Sequence, residues 1–138
     1  MKLRRPTDEL ADCCWLPRMA DKVRASHQGN FPLFYRLALG SPLGVDGHFL
    51  RHFGLSFKTF QQAVLKTKND ENLTQWFVHQ PDVTPISIAN WNTFAPKIGT
   101  PGYPGSIIKL LVKWVLYPKS VKDPRNSLFE MIEQDEES

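Results

Sequence analysis

Leu16-Pro17-Arg18-Met19-Ala20-Asp21-Lys22-Val23-Arg24-Ala25-Ser26-His27-Gln28-Gly29 carries a helix start, a helix body and a helix stop within one short run. Pro17 suits the first turn, where its missing N–H costs nothing. Leu16, Met19, Ala20, Val23 and His27 recur at the spacing of one helix face, and Arg18, Asp21, Lys22 and Ala25 fall on another. Gly29 follows as the stop. A helix defined this fully makes α structure the frame for reading the flanking sequence.

Downstream, the same punctuation repeats. Phe31 to Leu39 is an apolar segment broken by Gly40-Ser41-Pro42. Asp46 is placed to cap a short helix bearing Phe49, Leu50 and Phe53, with Gly54 at the left-handed position after it. Ser56 is placed to cap the next helix, through Phe57, Phe60 and Val64, with Leu55 and Phe60 as a hydrophobic staple. Asp70 begins a helix carrying Leu73, Trp76 and Phe77 that stops before Pro81. Thr84-Pro85 is a cap followed by proline at the first helical position, leading into Ile88, Trp91 and Asn92. Ser106 precedes the most apolar segment, Ile107 to Tyr117, which the pattern makes the central helix, with Ile107, Leu111, Trp114 and Val115 buried. A last helix starts near Asp123-Pro124 and carries Leu128, Phe129 and Ile132. No stretch sustains period-two alternation. The expected fold is therefore all-α, a single irregular bundle of about seven or eight short helices over residues 1–138.

Composition agrees with one packed domain: 138 residues, 41% hydrophobic and 12% aromatic, enough to bury a core without metal or disulfide. Charge is uneven. The five acids from Glu130 onward sit with no Lys or Arg, and without them 17 bases face nine acids, a balance of +8. A short basic N-terminal arm and an acidic C-terminal tail thus flank the domain. No apolar run approaches the roughly 20 residues of a membrane span, and no leader pattern is visible, so a cytoplasmic protein is expected. Cys13 and Cys14 are adjacent, which suits buried free thiols better than a bridge.

Signatures for nucleotide-dependent, zincin and serine-hydrolase chemistry are absent: no Gly-x-Gly-x-x-Gly, P-loop, His-Glu-x-x-His or Gly-x-Ser-x-Gly occurs. His48 and His52 are one turn apart but lack a third ligand, so neither a metal nor a cofactor is expected. Arg4, Arg5, Arg18, Lys22, Arg24, Lys109 and Lys113 invite a phosphate-backbone partner. The aromatics fall at core spacing, however, which disfavours nucleic acid.

Arg18, Asp21 and Lys22 are the most pointed set. Two cations one turn apart repel each other unless something compensates, and Asp21 is placed to hold the Arg18 guanidinium. Such a set suits a carboxylate or phosphate bound bidentately. The Gly- and Pro-rich loop from Pro96 to Gly105 carries Tyr103, which would cover the site.

The same stretches resemble a known family. Leu16 to Ala25, then Asp46-Gly47-His48-Phe49-Leu50 with Phe53-Gly54-Leu55, then Ala89-Asn90-Trp91-Asn92, are similar to three blocks of a bacterial family, domain of unknown function 5069. Gly102-Tyr103-Pro104 and Tyr117-Pro118 look like features of one branch of it. The resemblance implies a bacterial, cytoplasmic single domain and implies no activity, cofactor or catalytic residue. The leading expectation is a small-molecule site for an anionic metabolite, in a binding protein or an enzyme, formed by Arg18, Asp21, Lys22 and Tyr103. The alternative is a helical interaction module that uses an aromatic patch to bind a protein partner or a second copy of itself.

Overall fold

Five α-helices and one two-stranded hairpin make up residues 3–29, 39–41 and 44–98, the part of the chain that the structure, a computed structural model, describes. In order these are β1 (Glu9–Leu10), β2 (Cys13–Cys14), α1 (Leu16–His27), α2 (Val45–His52), α3 (Phe57–Lys66), α4 (Asp70–Val78) and α5 (Pro85–Phe94), closed by a 3-10 turn at Ala95–Lys97. The described residues thus hold five α-helices rather than the seven or eight expected of the chain. The expected helices at 31–39, at 107–117 and from Asp123 lie outside the described residues, as do Tyr103 and Trp114.

Local chemistry explains the helix ends. The Ser56 hydroxyl accepts from the Thr59 N–H at 3.1 Å. Thr84 and Ser87 cap each other reciprocally, 3.0 Å and 2.8 Å, with Pro85 at the first helical position. Gly29 and Gly54 take φ of 79° and 64° just past α1 and α2, the left-handed conformation that a Cβ disfavours. Asn69, not Asp70, caps α4, its side chain accepting from the Asn72 N–H. The α2 cap is corrected too. Gly44 is the N-cap and makes no side-chain bond, while Asp46 sits inside the first turn and is buried.

The hairpin is a correction to the all-α expectation. Glu9 pairs with Cys14 and Leu10 with Cys13, across a loop of Ala11 and Asp12. Both loop residues have positive φ, 55° and 60°, as a type I′ turn requires. Strands of two residues are too short to show alternation, and Ala-Asp lacks the glycine that normally marks such a turn.

Packing centres on aromatic rings. Phe49 on α2 lies 5.0 Å from Phe53, 5.9 Å from Phe60 on α3, 6.0 Å from Phe77 on α4 and 5.5 Å from Trp91 on α5, centroid to centroid. All five are buried. Edge-to-face pairs of this kind add about 0.5–1.5 kcal/mol each beyond the area they bury. Helix α1 packs on α3 and on the hairpin, and α5 packs on β2. The chain leaving the hairpin therefore enters α1 at the border of the core.

Candidate functional site

Trp15 is the hinge between hairpin and helix. Its backbone is left-handed, φ 71° and ψ −29°, and its N–H donates to the Pro6 carbonyl at 3.1 Å. With Ala11 and Asp12 it makes three non-glycine residues of positive φ within five positions. Conformations of this kind cost about 1–3 kcal/mol each and persist where surrounding contacts enforce them.

Those contacts are ionic and aromatic. Arg18 and Lys22, one turn apart on α1, both approach the Trp15 ring, with the guanidinium carbon 5.6 Å and the ammonium 4.7 Å from its centroid. Lys22 Nζ donates to both oxygens of Asp46, at 2.7 and 2.8 Å. Trp15 Nε1 donates to Asp46 Oδ1 at 2.7 Å, and the Gly40 N–H donates to Oδ2 at 3.0 Å. Asp46 thus fastens the hairpin exit, α1 and the Gly40 turn to α2. Arg18 is 1%, Lys22 7% and Asp46 2% exposed. Desolvating such ions costs several kcal/mol each, and only close pairing with further hydrogen bonds offsets it.

Arg18 and Asp21 do not form the pair expected of them. Arg18 Nη1 donates to the Arg4 carbonyl at 3.0 Å. Asp21 instead accepts from Arg4: from its backbone N–H at 2.9 Å, from Nε at 3.0 Å and from Nη2 at 2.9 Å. Residues three apart on a helix are neighbours, but Arg18 turns inward over Trp15 while Asp21 faces the N-terminal arm. Arg4 also reaches Asp70 on α4, and Arg24 Nη1 meets the same carboxylate at 3.1 Å. The hydrogen bond from Arg4 above all, and then that from Arg24, holds the Asp70 carboxyl below its ordinary range against partial desolvation. Of the expected set, the structure brings Arg18 and Lys22 together at Trp15 and places Asp21 beside them on the arm. Tyr103 lies outside the described residues.

Helix α5 supports the hinge from the other side. Trp91 Nε1 donates to the Cys14 carbonyl at 2.9 Å. The Asn92 carbonyl oxygen accepts from the Cys14 N–H at 2.9 Å, and its amide donates to the Asp12 carbonyl at 2.7 Å. Cys13 and Cys14 are free and buried. Burial raises both thiols, Cys14 to about 12, so neither is a ready nucleophile at neutral pH.

His48 and His52 are engaged separately. His52 Nε2 donates to the Ser87 carbonyl at 2.7 Å, and His48 Nδ1 faces Arg51 at 3.3 Å. Burial, helped by Arg51, lowers the His48 pKa. Among the described residues, no three His, Cys, Asp or Glu side chains are grouped to hold a metal ion. No helix of the described residues is long and apolar enough to cross a membrane.

Sequence reasoning missed Trp15 and Asp46 as site residues. Trp15 stands immediately before the helix start, where a bulky residue is an odd choice of cap, and that was the available signal. Asp46 gave none, because a buried counter-ion and a cap look alike in sequence.

What emerges is a buried ion cluster on a helical scaffold, set at a strained turn. The chain belongs to a family described as a domain of unknown function, DUF5069, which it matches over residues 1–138. No curated protein matches it. The three stretches that carry the family likeness converge on this one place. The first supplies Arg18 and Lys22, the second Asp46, and the third Trp91 and Asn92.

Proposed function

We propose that the chain binds a small anionic metabolite, as a binding protein or as an enzyme, at the α1 face that carries Arg18, Asp21 and Lys22, with Tyr103 covering it. Trp15 and Asp46 join that set. One observation carries the proposal: two cations one turn apart are buried on a single indole at a strained turn. Buried ions are weak contributors to stability and are concentrated where a protein does chemistry or binds charge. Asp46 fixes the Lys22 ammonium, and the Trp15 ring gives the guanidinium a flat surface to lie against. A carboxylate or phosphate would meet a rigid fork and a point charge already in position. The bacterial, cytoplasmic setting belongs to the same proposal, and the free thiols suit a reducing compartment.

The alternative, an interaction module with an aromatic patch, draws less support. Among the described residues the exposed large apolar side chains are Leu65, Val78 and Ile86, all aliphatic.

The test is a thermal-shift screen of phosphate- and carboxylate-bearing metabolites against the whole chain, repeated on Arg18→Lys. A ligand present at a hundred times its Kd stabilises by about 2.7 kcal/mol, which moves the melting temperature by several degrees. Arg18→Lys keeps a cation but loses the planar fork, so the shift should fall away while the variant stays folded. A screen in which no anion moves the wild-type transition would sink the proposal. So would a ligand whose shift is the same in Arg18→Lys.

A further inference from the structure

We infer that residues 3–8 form an ionic strap over Arg18, and that release of this strap admits the anion to the site proposed above, on which reading the inference rests. The strap lies directly on the guanidinium. The Arg4 carbonyl accepts from Arg18 Nη1 at 3.0 Å, and Arg4 Nη2 reaches the Pro17 carbonyl at 3.4 Å, on the turn from which Arg18 projects. Arg18 is 1% exposed beneath it.

The strap is anchored at its rim. Arg4 spans two carboxylates, Asp21 on α1 and Asp70 on α4, and Arg24 shares the second. These side chains keep 19 to 38% of their surface in water. Ion pairs that wet are screened by salt and are weak singly. The pair beneath differs: Lys22 and Asp46 are 9% and 2% exposed in their side chains, and no arm residue is among the partners of Asp46. Beyond Asp8 the chain is tied down again, with Pro6 buried, its carbonyl bonded to Trp15, and Glu9 paired with Cys14. Breaking the Arg4 anchors therefore frees the arm and uncovers Arg18 without disturbing Lys22. This difference in anchoring is the device: salt, or an anion competing for Arg4 and Arg18, opens the outer layer and leaves the inner one set.

Chemical labelling of the whole chain tests this. An arginine-selective dicarbonyl such as phenylglyoxal is read out residue by residue by mass spectrometry, with exposed Arg51 as the internal reference. Lys22 is followed in parallel with an acylating reagent against exposed Lys58. In the wild type Arg18 should label at least about tenfold more slowly than Arg51. Arg4→Ala, or about 0.5 M salt, should raise Arg18 labelling several-fold while Lys22 stays protected. Asp70→Asn, which removes one anchor and leaves Asp21 in place, should do the same more weakly and serves if Arg4→Ala does not fold. Unchanged Arg18 labelling in a folded variant overturns the strap. So does a parallel rise at Lys22, which marks general unfolding. The affinities for inorganic phosphate and citrate are then measured on the same variants. If Arg18 is uncovered, the dissociation constant should tighten by about the factor by which labelling rose. If labelling rises and neither anion binds any variant, the strap stands and the anion-site proposal fails.

Discussion

A single carboxylate decides how the N-terminal half is assembled. Asp46 accepts from Lys22, from the Trp15 indole and from the Gly40 backbone, so three segments depend on one side chain. Asp46→Asn preserves shape but leaves the buried ammonium without its counter-charge. Breaking a buried pair in this way costs about 3–5 kcal/mol. Adding Lys22→Met should recover a good part of that loss, because the uncompensated ion is then gone. Urea unfolding of the single and double variants measures both. A single-variant loss below about 1 kcal/mol would show that water reaches the pair. This partnership was not legible in the sequence. Lys22 could be placed on a helix face by its spacing, but nothing local tells which acid, twenty-four residues away, folds back onto it. The same holds for Arg18, whose nearest acid in sequence, Asp21, is taken by Arg4. Residue types at a spacing give a face, and the direction of that face depends on the tertiary fold.

Elements were far more legible, because caps and stops are local chemistry. Ser56, Thr84-Pro85, Gly29 and Gly54 act in the structure as their sequence positions imply. The hairpin at Glu9 to Cys14 escaped for an equally local reason: two-residue strands carry no period, and its turn uses Ala11 and Asp12 in place of glycine. Gly54 offers a sharp check on the element scale. Its φ is 64°, and a Cβ there would lie 2.2 Å from Asp82 Oδ2. Gly54→Ala should therefore destabilise by about 1–2 kcal/mol, part from backbone strain and part from displacing Asp82. The two parts separate in the Asp82→Ala background, where the carboxylate is absent and only the backbone part, about 1 kcal/mol, should remain. Chemical denaturation of the four proteins reads this directly. An alanine that costs nothing in either background would mean that α2 does not end in the left-handed turn.

On the scale of the whole molecule, the core and the candidate site share a residue. Trp91 stacks against Phe49 at the centre of the aromatic packing, and the same indole donates to the Cys14 carbonyl one residue before the hinge. The aromatic positions were readable from helical spacing. Their convergence on Phe49 was not, and the segment the sequence marked as central, 107–117, lies outside the described residues. Because Trp91 belongs to both, a change there should reach the site through the scaffold. Trp91→Phe keeps a ring in the core and deletes one donor, which leaves a buried carbonyl unsatisfied. The cost should be about 1–3 kcal/mol, a large share of a domain's usual 5–15 kcal/mol, with unfolding still a single transition. Its distribution is more informative than its size. Amide exchange should quicken most at Cys14, bonded to Asn92, and at Trp15, bonded to Pro6, and less at Phe77 in α4. Uniform acceleration would assign Trp91 to the core alone. Acceleration concentrated at Cys14 and Trp15 would show that α5 is what holds the strained turn, and with it the ring on which Arg18 and Lys22 lie.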